Sequence, residues 1–320
     1  MSDSWTAAQM PECSEKTVLI TGANSGLGFQ ATKAFARKGA TVVMACRSIE
    51  RGEQAAEEIA ERLPGGTGAT LNVRQCDLAS LASIEAFADE VREAYDELHI
   101  LCNNAGVMAI PRSETEDGFE MQLGVNHLGH FALTGQLLDL IVETEGETRI
   151  VTHSSGAHTT GKMDFDDLHR ETSYSKWGAY GQSKLANLLF AYELQRRLDA
   201  AEITETKSVA CHPGYADTNL QYRGPEQSGS RIKYAMMRVV NGVFAQSASK
   251  GTLPLLYAAT APDVEGGEYY GPGGLMNMRG APQRQESSDA SHDEADARRL
   301  WEHSEELTGV TYSFEPLASA

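Results

Sequence analysis

Apolar runs alternate with amphipathic segments along the first two thirds of the chain. Short runs rich in β-branched residues predict strands at 17–21, 41–46, 69–76, 99–104, 149–155 and 208–214. Between them, apolar residues recur at helical spacing and predict helices at 26–39, 48–63, 81–95, 119–143 and 179–200. Uninterrupted apolar strands are typical of a parallel sheet that is covered on both faces. The pattern therefore predicts an α/β fold in which a doubly wound, mostly parallel sheet is flanked by helices on both faces.

The last third of the chain is less regular. Residues 221–231 are rich in Gly, Ser and charged side chains and predict a loop before a helix near 235–259. EYYGPGG at 268–274 predicts a short last strand and a turn. Ser291 lies three residues before Glu294, which predicts a capping box at the start of a final helix.

Length and charge limit the classes of protein to which the chain can belong. The chain has 320 residues, 41% of them hydrophobic, which is enough for a sizeable core. It has no internal repeat and no Pro/Ser-rich linker, so we predict one domain at 16–320 after a short acidic N-terminal extension at 1–15. The 27 Lys and Arg against 45 Asp and Glu give a net charge of −18, which repels nucleic acid and anionic membranes. Such a surface fits either a salt-adapted protein, because salt screens the self-repulsion, or an ordinary acidic cytoplasmic enzyme.

Neither a membrane span nor a metal site is predicted. No apolar run approaches the roughly eighteen residues that cross a bilayer. The N-terminus also lacks the basic flank and apolar stretch of a secretory signal, so we expect a cytoplasmic protein. His153 and His158 stand five positions apart without an evident third metal ligand. The five cysteines form no CxxC, and four of them lie in or beside apolar runs, as small buried residues in a reducing compartment do: Cys46, Cys76, Cys102 and Cys211.

A glycine-rich turn, TGANSGLG at 21–28, lies where the first strand meets the first helix. Gly22, Gly26 and Gly28 let the backbone turn tightly and approach a pyrophosphate, whose charge is favoured by a helix N-terminus. The spacing GxxxGxG differs from the general dinucleotide pattern GxGxxG. The turn predicts nucleotide binding.

The end of the second strand, MACRS at 44–48, bears on the choice of cofactor. An acidic residue there would hydrogen-bond the ribose 2′-hydroxyl of NAD, whereas an arginine accommodates the 2′-phosphate of NADP. This chain has Cys46 and then Arg47, so NADP(H) is favoured over NAD(H). The structural alternative is that Arg47 is a solvated residue that opens the next helix.

Polar residues also end the third and fourth strands. Asp77 in CDLAS would accept a hydrogen bond from an adenine amino group or, alternatively, cap the following helix. In NNAG at 103–106, the backbone and the asparagine side chains would line a cofactor, while Asn103 or Asn104 would pin neighbouring strands together.

Tyr180 and Lys184 stand four residues apart in AYGQSK and therefore share one helix face. The lysine charge would favour the phenolate, lower the pKa of the tyrosine and let the pair exchange a proton near neutral pH. The plain alternative is a tyrosine and a lysine on a solvated helix face.

Together these motifs resemble the superfamily of short-chain dehydrogenases/reductases, which have a Rossmann fold, from about residue 15 to residue 280. The resemblance is carried, in chain order, by TGANSGLG, Asp77-Leu78, NNAG, Asn126 in GVNHLGHF, HSS at 153–155, Tyr180-x-x-x-Lys184 and HPG at 212–214. NHLGHF, YGQSKLANLLF and YYGPGG further resemble the branch of the retinol dehydrogenases, WW-domain oxidoreductases and protochlorophyllide reductases.

The resemblance implies a set of catalytic and cofactor-binding residues. Tyr180 would exchange a proton with the carbonyl or alcohol oxygen, and Ser155 would hydrogen-bond that oxygen. Lys184 would lower the pKa of the tyrosine and hold the nicotinamide ribose hydroxyls, and Asn126 would hold a water that links the site to solvent. The cofactor-binding residues would be Gly22, Asn24, Ser25, Gly26, Leu27, Gly28, Arg47, Asp77, Leu78, Asn104, Ala105, Gly106, Tyr180, Lys184, Pro213, Gly214 and Thr218.

Two features depart from the usual pattern of the superfamily. Ser154 and Ser155 are adjacent, and Ser155 is chosen as the catalytic serine from the family's usual placement. Ser155 and Tyr180 are separated by 25 positions, twice the common interval, so the residues between them would loop out as part of the substrate wall. Retinol-dehydrogenase-like members carry a similar insertion. The membrane anchor of many retinol dehydrogenases is not evident, which weakens the transfer of a retinoid substrate.

We therefore predict an NADP(H)-dependent oxidoreductase that interconverts a carbonyl compound and an alcohol. Residues 215–250 would form a substrate loop or lid. Its aromatic and methionine side chains predict an apolar substrate: Tyr215, Tyr222, Tyr234, Met236, Met237 and Phe244. These residues would equally well be core or interface residues.

Three further possibilities stay open. One is a carbon–carbon double-bond reductase of the protochlorophyllide-reductase type. Another is a non-catalytic NADP(H)-binding sensor, against which the presence of all four catalytic residues argues. The third is a protein whose main role is assembly, since the resemblance implies a homodimer or homotetramer formed through the helices at 119–143 and 179–200.

Overall fold

A sheet of eight strands runs through residues 5–214, 247–274 and 277–314, the part of the chain that this computed structural model describes. The strands are β1 (Thr17–Thr21), β2 (Thr41–Cys46), β3 (Thr70–Gln75), β4 (Ile100–Asn103), β5 (Thr148–His153), β6 (Thr206–Cys211), β7 (Tyr269–Pro272) and β8 (Pro282–Arg284). They lie in the order β3-β2-β1-β4-β5-β6-β7-β8. All neighbours from β3 to β7 are parallel, and β8 pairs antiparallel with β7.

Helices cover both faces of this sheet. They are α1 (Gly26–Arg37), α2 (Ile49–Ala60), α3 (Leu81–Ala94), α4 (Met121–Leu123), α5 (Gly129–Glu143), α6 (Lys176–Ala200), α7 (Ala248–Gly251), α8 (Leu253–Thr260) and α9 (Glu294–Thr308). Because successive strand side chains point to opposite faces, Ile20 packs on one side with Phe35 of α1, whereas Leu19 packs on the other with Phe87 of α3. The doubly wound α/β fold predicted from the apolar pattern is confirmed.

The strand order reverses at β1, which lies between β2 and β4. Leu19 stands opposite Val43 of β2 on one side and Leu101 of β4 on the other. In an open parallel sheet, a crevice for a ligand forms beyond the carboxyl ends of the strands at such a reversal. The glycine-rich turn follows β1 and NNAG overlaps the end of β4, so both predicted motifs lie at this crevice.

The long helix predicted at 119–143 is interrupted. After α4, the backbone forms a π-helical turn at Gly124–Leu128 before α5 begins. Wider π turns insert a residue and redirect side chains, and they often occur at functional sites. Here the turn carries Asn126, and the His130 ring hydrogen-bonds the Asn126 carbonyl oxygen at 3.0 Å.

Two predictions at the C-terminal end are wrong in detail. The strand at 268–274 is not the last, because β8 follows it along the sheet edge. Helix α9 is capped by Asp293, whose carboxylate accepts from the backbone N–H groups of Ala295 and Asp296. Ser291 is buried two residues earlier in a 3-10 turn, where its hydroxyl donates to the Ser288 carbonyl oxygen at 2.6 Å, so it is not free to cap the helix.

Only the end of the helix predicted near 235–259 falls on described residues. There the structure has two short helices, α7 and α8, which join at Thr252. Pro254 lies in the first turn of α8, where a missing N–H is tolerated, so the sequence starts a new helix there rather than continuing one. The loop predicted at 221–231 and most of the predicted lid lie outside the described residues.

The chain's own C-terminal segment covers the helices for which the family resemblance implied subunit contacts. Trp301 of α9 packs against Phe131 of α5 and Phe190 of α6, with ring centroids 5.1 and 5.8 Å away. Tyr312, beyond α9, donates a hydrogen bond to the Phe131 carbonyl oxygen at 2.7 Å. Much of the apolar surface of α5 and α6 is therefore buried within one chain.

Three smaller observations bear on the composition. All five cysteines are buried and free, the four for which burial was predicted and also Cys13. Met10 is also buried, and the ring of Trp5 meets Tyr257 edge-on at 5.1 Å, so part of the N-terminal extension packs on the domain. Among the described residues, no helix combines the length and the hydropathy needed to cross a bilayer.

Candidate active site

The glycine-rich turn has the backbone shape that its glycines predict. Gly22 and Gly26 have φ of +66° and +56°, a region that side chains with a Cβ disfavour. A Cβ on Gly28 would lie 2.3 Å from the Gly22 carbonyl oxygen, so the first turn of α1 packs directly on the loop. Asn24, Ser25 and Leu27 complete the loop and the start of the helix.

The backbone N–H groups at the N-terminus of α1 are available to hydrogen-bond a ligand. Within the described residues, no side chain caps α1 and no acidic residue occupies its first turn. In contrast, Ser48 caps α2 and Ser80 caps α3 through their hydroxyls. Uncapped N–H groups and the positive end of a helix dipole suit a phosphate group, so this end of α1 fits a dinucleotide pyrophosphate.

The carboxyl end of β2 has no carboxylate. Cys46 is buried, and burial raises the pKa of its thiol to about 11, so it carries no charge at neutral pH. Arg47 follows it with an exposed side chain. The alternative of a solvated residue at the start of α2 also fits this exposure, although the cap itself is Ser48, which accepts from the Arg51 N–H.

Asp77 and Leu78 follow β3. The Asp77 carboxylate accepts from the Ala79 N–H at 3.0 Å and so stabilises a turn before α3. It does not cap α3, because Ser80 does. The predicted contact to an adenine amino group stays a prediction.

The NNAG segment is tied to the end of β1. The Thr21 hydroxyl oxygen lies 2.9 Å from the backbone nitrogens of both Asn104 and Ala105. The Asn104 amide donates to the Thr21 carbonyl oxygen at 2.8 Å, so this asparagine does pin β1 to β4. Asn103 is turned into the core, where its amide donates to the Thr134 hydroxyl at 3.0 Å.

Asn126 holds the backbone that follows NNAG. Its side-chain oxygen accepts from the Val107 N–H at 2.7 Å, and its amide donates to the Val107 carbonyl oxygen at 2.9 Å. The same amide lies 2.9 Å from the Ser183 hydroxyl on α6. A Cβ on Gly106 would lie 2.9 Å from the Asn126 side-chain oxygen and 3.7 Å from the Lys184 Nζ. Asn126 therefore joins the loop after β4 to the helix that carries Tyr180 and Lys184.

The two adjacent serines have different environments. The Ser154 hydroxyl is buried and donates to the Lys184 carbonyl oxygen at 2.7 Å, so it is committed to the backbone of α6. The Ser155 hydroxyl is hydrogen-bonded to the phenol of Tyr180. The structure therefore places Ser155, and not Ser154, at the tyrosine hydroxyl.

Tyr180 and Lys184 are both about 5% exposed, which excludes the alternative of a solvated helix face. Lys184 Nζ donates to the His153 carbonyl oxygen at 3.0 Å and lies 5.9 Å from the centre of the Tyr180 ring. Burial lowers the pKa of Lys184 to about 8. Burial also raises the pKa of Tyr180, and the hydrogen bond from Ser155 lowers it. The predicted net lowering of the Tyr180 pKa is therefore wrong, because desolvation dominates.

Pro213 and Gly214 follow β6, which lies two strands along the sheet from β4. Gly214 has φ of +66°, and a Cβ there would lie 2.4 Å from the Met278 carbonyl oxygen. Close packing of two backbone segments thus requires a glycine at this position. Thr218, the last predicted cofactor residue, lies outside the described residues.

Three residues of the site carry no role in the prediction from sequence. Thr21 binds NNAG, and His130 links the Thr21 hydroxyl at 2.9 Å to the Asn126 carbonyl oxygen. His153 contacts the Asn104 side-chain oxygen through Nδ1 at 3.1 Å, and burial lowers its pKa to about 3, so it is neutral. Thr21 and His130 lie within the motifs TGANSGLG and NHLGHF, but only the strand order shows that they meet.

The arrangement suits proton transfer beside a dinucleotide. A phenol, a hydroxyl and an ammonium group converge at the carboxyl ends of β4 and β5, next to an uncapped helix N-terminus. The phenol can donate a proton and the hydroxyl can donate a hydrogen bond to one substrate oxygen. The cationic Lys184 and the donors of α1 fit the hydroxyls and phosphates of a nicotinamide dinucleotide.

Comparison with known proteins identifies relatives along most of the chain. The model of the short chain dehydrogenase family matches residues 16–228. Retinol dehydrogenase 14 of Mus musculus is 41% identical over 304 residues, which cover 92% of this chain and 86% of the relative. Polyprenol dehydrogenase of Mus musculus is 39% identical over 306 residues, covering 94% of this chain and 86% of the relative.

A solved structure is similar in both sequence and fold. It is a crystal structure of an uncharacterised protein from Mycobacterium paratuberculosis, 40% identical to this chain, with a TM-score of 0.78. The similarity covers 97% of this chain and 99% of that one. This chain is therefore similar to that protein in both sequence and fold over almost its whole length.

Proposed function

The chain belongs to the short chain dehydrogenase family, in the branch of the retinol dehydrogenases, and from that premise we propose that it is an NADP(H)-dependent enzyme that interconverts apolar carbonyl compounds and alcohols. Family membership makes it an oxidoreductase acting on CH–OH groups with a nicotinamide dinucleotide. The observation that carries the proposed chemistry is the buried phenol of Tyr180, which is hydrogen-bonded to the half-buried Ser155 and stands one helical turn from Lys184.

The four proposed catalytic residues divide the work around the substrate oxygen. A bound nicotinamide dinucleotide supplies or accepts the hydride. In the direction of reduction, Tyr180 donates its phenolic proton to the carbonyl oxygen while the Ser155 hydroxyl donates a hydrogen bond to it. Because burial raises the pKa of Tyr180, the phenol is protonated at neutral pH, as a proton donor must be.

Lys184 and Asn126 position the groups around this oxygen. With a pKa of about 8, Lys184 keeps its positive charge at neutral pH and stabilises the anion that Tyr180 becomes after proton donation. It would also hold the ribose hydroxyls of the cofactor. Asn126 fixes Val107 and the NNAG backbone beside Lys184, and so shapes the floor on which the nicotinamide ring would lie.

The preference for NADP(H) rests on Arg47. Its exposed guanidinium group follows the buried, uncharged Cys46 at the end of β2, and a 2′-phosphate would pair with it. Arg47→Asp is expected to lower kcat/KM for NADPH by about 10- to 100-fold and to raise it for NADH, because an attractive charge becomes repulsive to a phosphate. Steady-state kinetics with both cofactors measure this.

Arg37→Asp is the matched control for this charge reversal. Arg37 is exposed in the last turn of α1, at the opposite edge of the sheet. It should leave the ratio of the two kcat/KM values unchanged. Equal selectivity in the Arg47→Asp variant and the parent protein would show that another residue discriminates between the cofactors.

An apolar substrate is supported by the relatives and by Trp177. Retinol and polyprenol, which the relatives are named for, are apolar alcohols. Trp177 is 54% exposed, and its ring meets the Tyr180 ring edge-on at 6.1 Å. A large exposed aromatic ring beside the proton donor is suited to contact an apolar chain that enters the site.

Trp177→Ala is expected to lower kcat/KM for a long apolar aldehyde by about 5- to 30-fold, since the contact of roughly half an aromatic side chain is lost. The change should appear mainly in KM. A short polar ketone, which does not reach Trp177, should react at the parent rate and serves as the internal control. Equal losses for both substrates would assign Trp177 to the support of Tyr180 and not to substrate binding.

The proposed function is tested by cofactor consumption. The purified protein is mixed with NADPH or NADH and a panel of aliphatic, aromatic and isoprenoid aldehydes and ketones, at low and high salt. Turnover with NADPH and apolar carbonyls supports the proposal. Tight NADPH binding without turnover of any member would favour the sensor. A cytoplasmic location and adaptation to salt stay predictions from the sequence.

A further inference from the structure

The buried side chain of His158 holds the backbone of Ser155. Ser155 ends the turn after β5 and begins the 3-10 helix at Gly156–Thr160, where its hydroxyl accepts from the Ala157 N–H at 3.2 Å. His158 lies in the same short helix and is 3% exposed. Its Nδ1 lies 2.7 Å from the Ser155 carbonyl oxygen.

The hydrogen-bond partners of His158 determine its tautomer. Nε2 lies 3.2 Å from the Ser288 backbone nitrogen, which can only donate. Nε2 must therefore accept, and the ring proton resides on Nδ1 and is donated to the Ser155 carbonyl oxygen. Burial lowers the pKa of His158, which favours this neutral form. The Tyr269 ring meets the imidazole edge-on at 5.6 Å and fixes its plane.

This link joins two parts of the chain that are far apart in sequence. Ser288 precedes α9, and its neighbour Ser287 is hydrogen-bonded at 2.8 Å to the Tyr192 hydroxyl on α6. On the other side of the 3-10 helix, a Cβ on Gly161 would lie 2.3 Å from the Gly181 carbonyl oxygen, so that segment packs directly on α6. The long insertion between Ser155 and Tyr180 is thus clamped where it leaves the serine.

We propose that His158 is a positioning residue for Ser155: by donating to its carbonyl oxygen and accepting from Ser288, it fixes the serine backbone and so the direction of the hydroxyl toward Tyr180. Its ring is buried and both ring nitrogens are bonded within the protein, so it acts through Ser155. The inference rests on the proposed function, since it assigns His158 to the serine of that site. Small displacements of a group that hydrogen-bonds the reacting oxygen are costly, because the bond must be aligned in the transition state.

Two variants distinguish a positioning role of His158 from a role in packing alone. His158→Leu replaces the imidazole with an apolar side chain of similar size and loses both hydrogen bonds. His158→Gln retains an N–H donor and a carbonyl acceptor. His303→Leu is the matched control, because His303 stacks on Phe165 at 5.8 Å and lies away from Ser155. We expect His158→Leu to lower kcat by about 10- to 100-fold with KM and the NADPH dissociation constant nearly unchanged. His158→Gln should recover most of the loss.

A measurement without turnover keeps this inference separate from the proposed function. In protein labelled with 13C at the tyrosine ring, the resonance missing from Tyr180→Phe reports the Tyr180 phenol. His158→Leu should shift that resonance in the same direction as Ser155→Ala does, and His303→Leu should not. An unshifted resonance, or equal activity losses in His158→Leu and His158→Gln together with reduced stability, would overturn the inference. A parent protein that reduces no carbonyl would overturn the proposed function, whatever the resonance shows.

Discussion

Tyr180→Phe is expected to lower kcat by about 10²- to 10⁴-fold, because it removes the only proton that the proposed mechanism gives to the substrate oxygen. The variant keeps the buried ring, 5% exposed in the parent, and its edge-on contact with Trp177. The NADPH dissociation constant should therefore stay within about two-fold, and the loss should appear in kcat and kcat/KM alike. Pre-steady-state and steady-state rates with one apolar aldehyde measure this.

Tyr192→Phe is the matched control for this substitution. Tyr192 is equally buried on the same helix, and its hydroxyl contacts Ser287 at 2.8 Å rather than the Ser155 hydroxyl. It should keep kcat within about three-fold, since no reacting oxygen loses its proton donor. Similar rates for Tyr180→Phe and Tyr192→Phe would mean that another group protonates the product.

Trp301→Ala is expected to reduce the free energy of unfolding by about 3–5 kcal/mol, the range for large aromatic residues in cores. Trp301 is the largest fully buried side chain of the described residues. Its ring centroid lies 4.5 Å from that of Tyr312 and 5.1 Å from that of Phe131, and the Arg197 guanidinium carbon lies 4.3 Å above it. The substitution would open a cavity between α9 and the pair α5 and α6. Urea unfolding followed by circular dichroism measures the change.

Trp301→Phe separates cavity formation from the loss of polar contacts. The indole N–H is buried and has no hydrogen-bond partner among the described residues, so its removal costs no hydrogen bond. We expect Trp301→Phe to lose half as much stability or less, because a smaller cavity is left. Equal losses in both variants would show that the site responds to shape alone, and no loss in either would show that α9 contributes little to folding.

The strands and their order along the chain were predictable because the apolar pattern that indicates each strand is local and strong. The run TVLIT at 17–21 is buried along almost its whole length, and β1 spans the residues predicted for it. The motifs at strand ends converge because parallel strands present their carboxyl ends at one edge, as the strand reversal at β1 requires. The choice of Ser155 over Ser154 came from family resemblance and stays a prediction, while the structure ties Ser154 to the Lys184 carbonyl oxygen and Ser155 to Tyr180.

The features that the sequence did not predict depend on contacts between distant residues. The π-helical turn at Asn126 breaks a pattern that is helical throughout, and its carbonyl oxygen is satisfied by a side chain, His130, that also meets Thr21. The pKa of Tyr180 depends on burial, which helical spacing to Lys184 does not show. Strand β8 is short and polar at two of its three positions, so no apolar pattern predicts it.

In the proposed reaction, hydride moves between NADPH and a carbonyl carbon while Tyr180 exchanges the proton. We would test it with NADPH that carries deuterium at both C4 positions of the nicotinamide ring and an apolar aldehyde, and locate the label in the product by mass spectrometry and NMR. We expect an alcohol with one deuterium on the former carbonyl carbon, formed by the parent protein and lost in Tyr180→Phe. Deuterium on a reduced carbon–carbon bond, or oxidation of NADPH without label in any product, would contradict it.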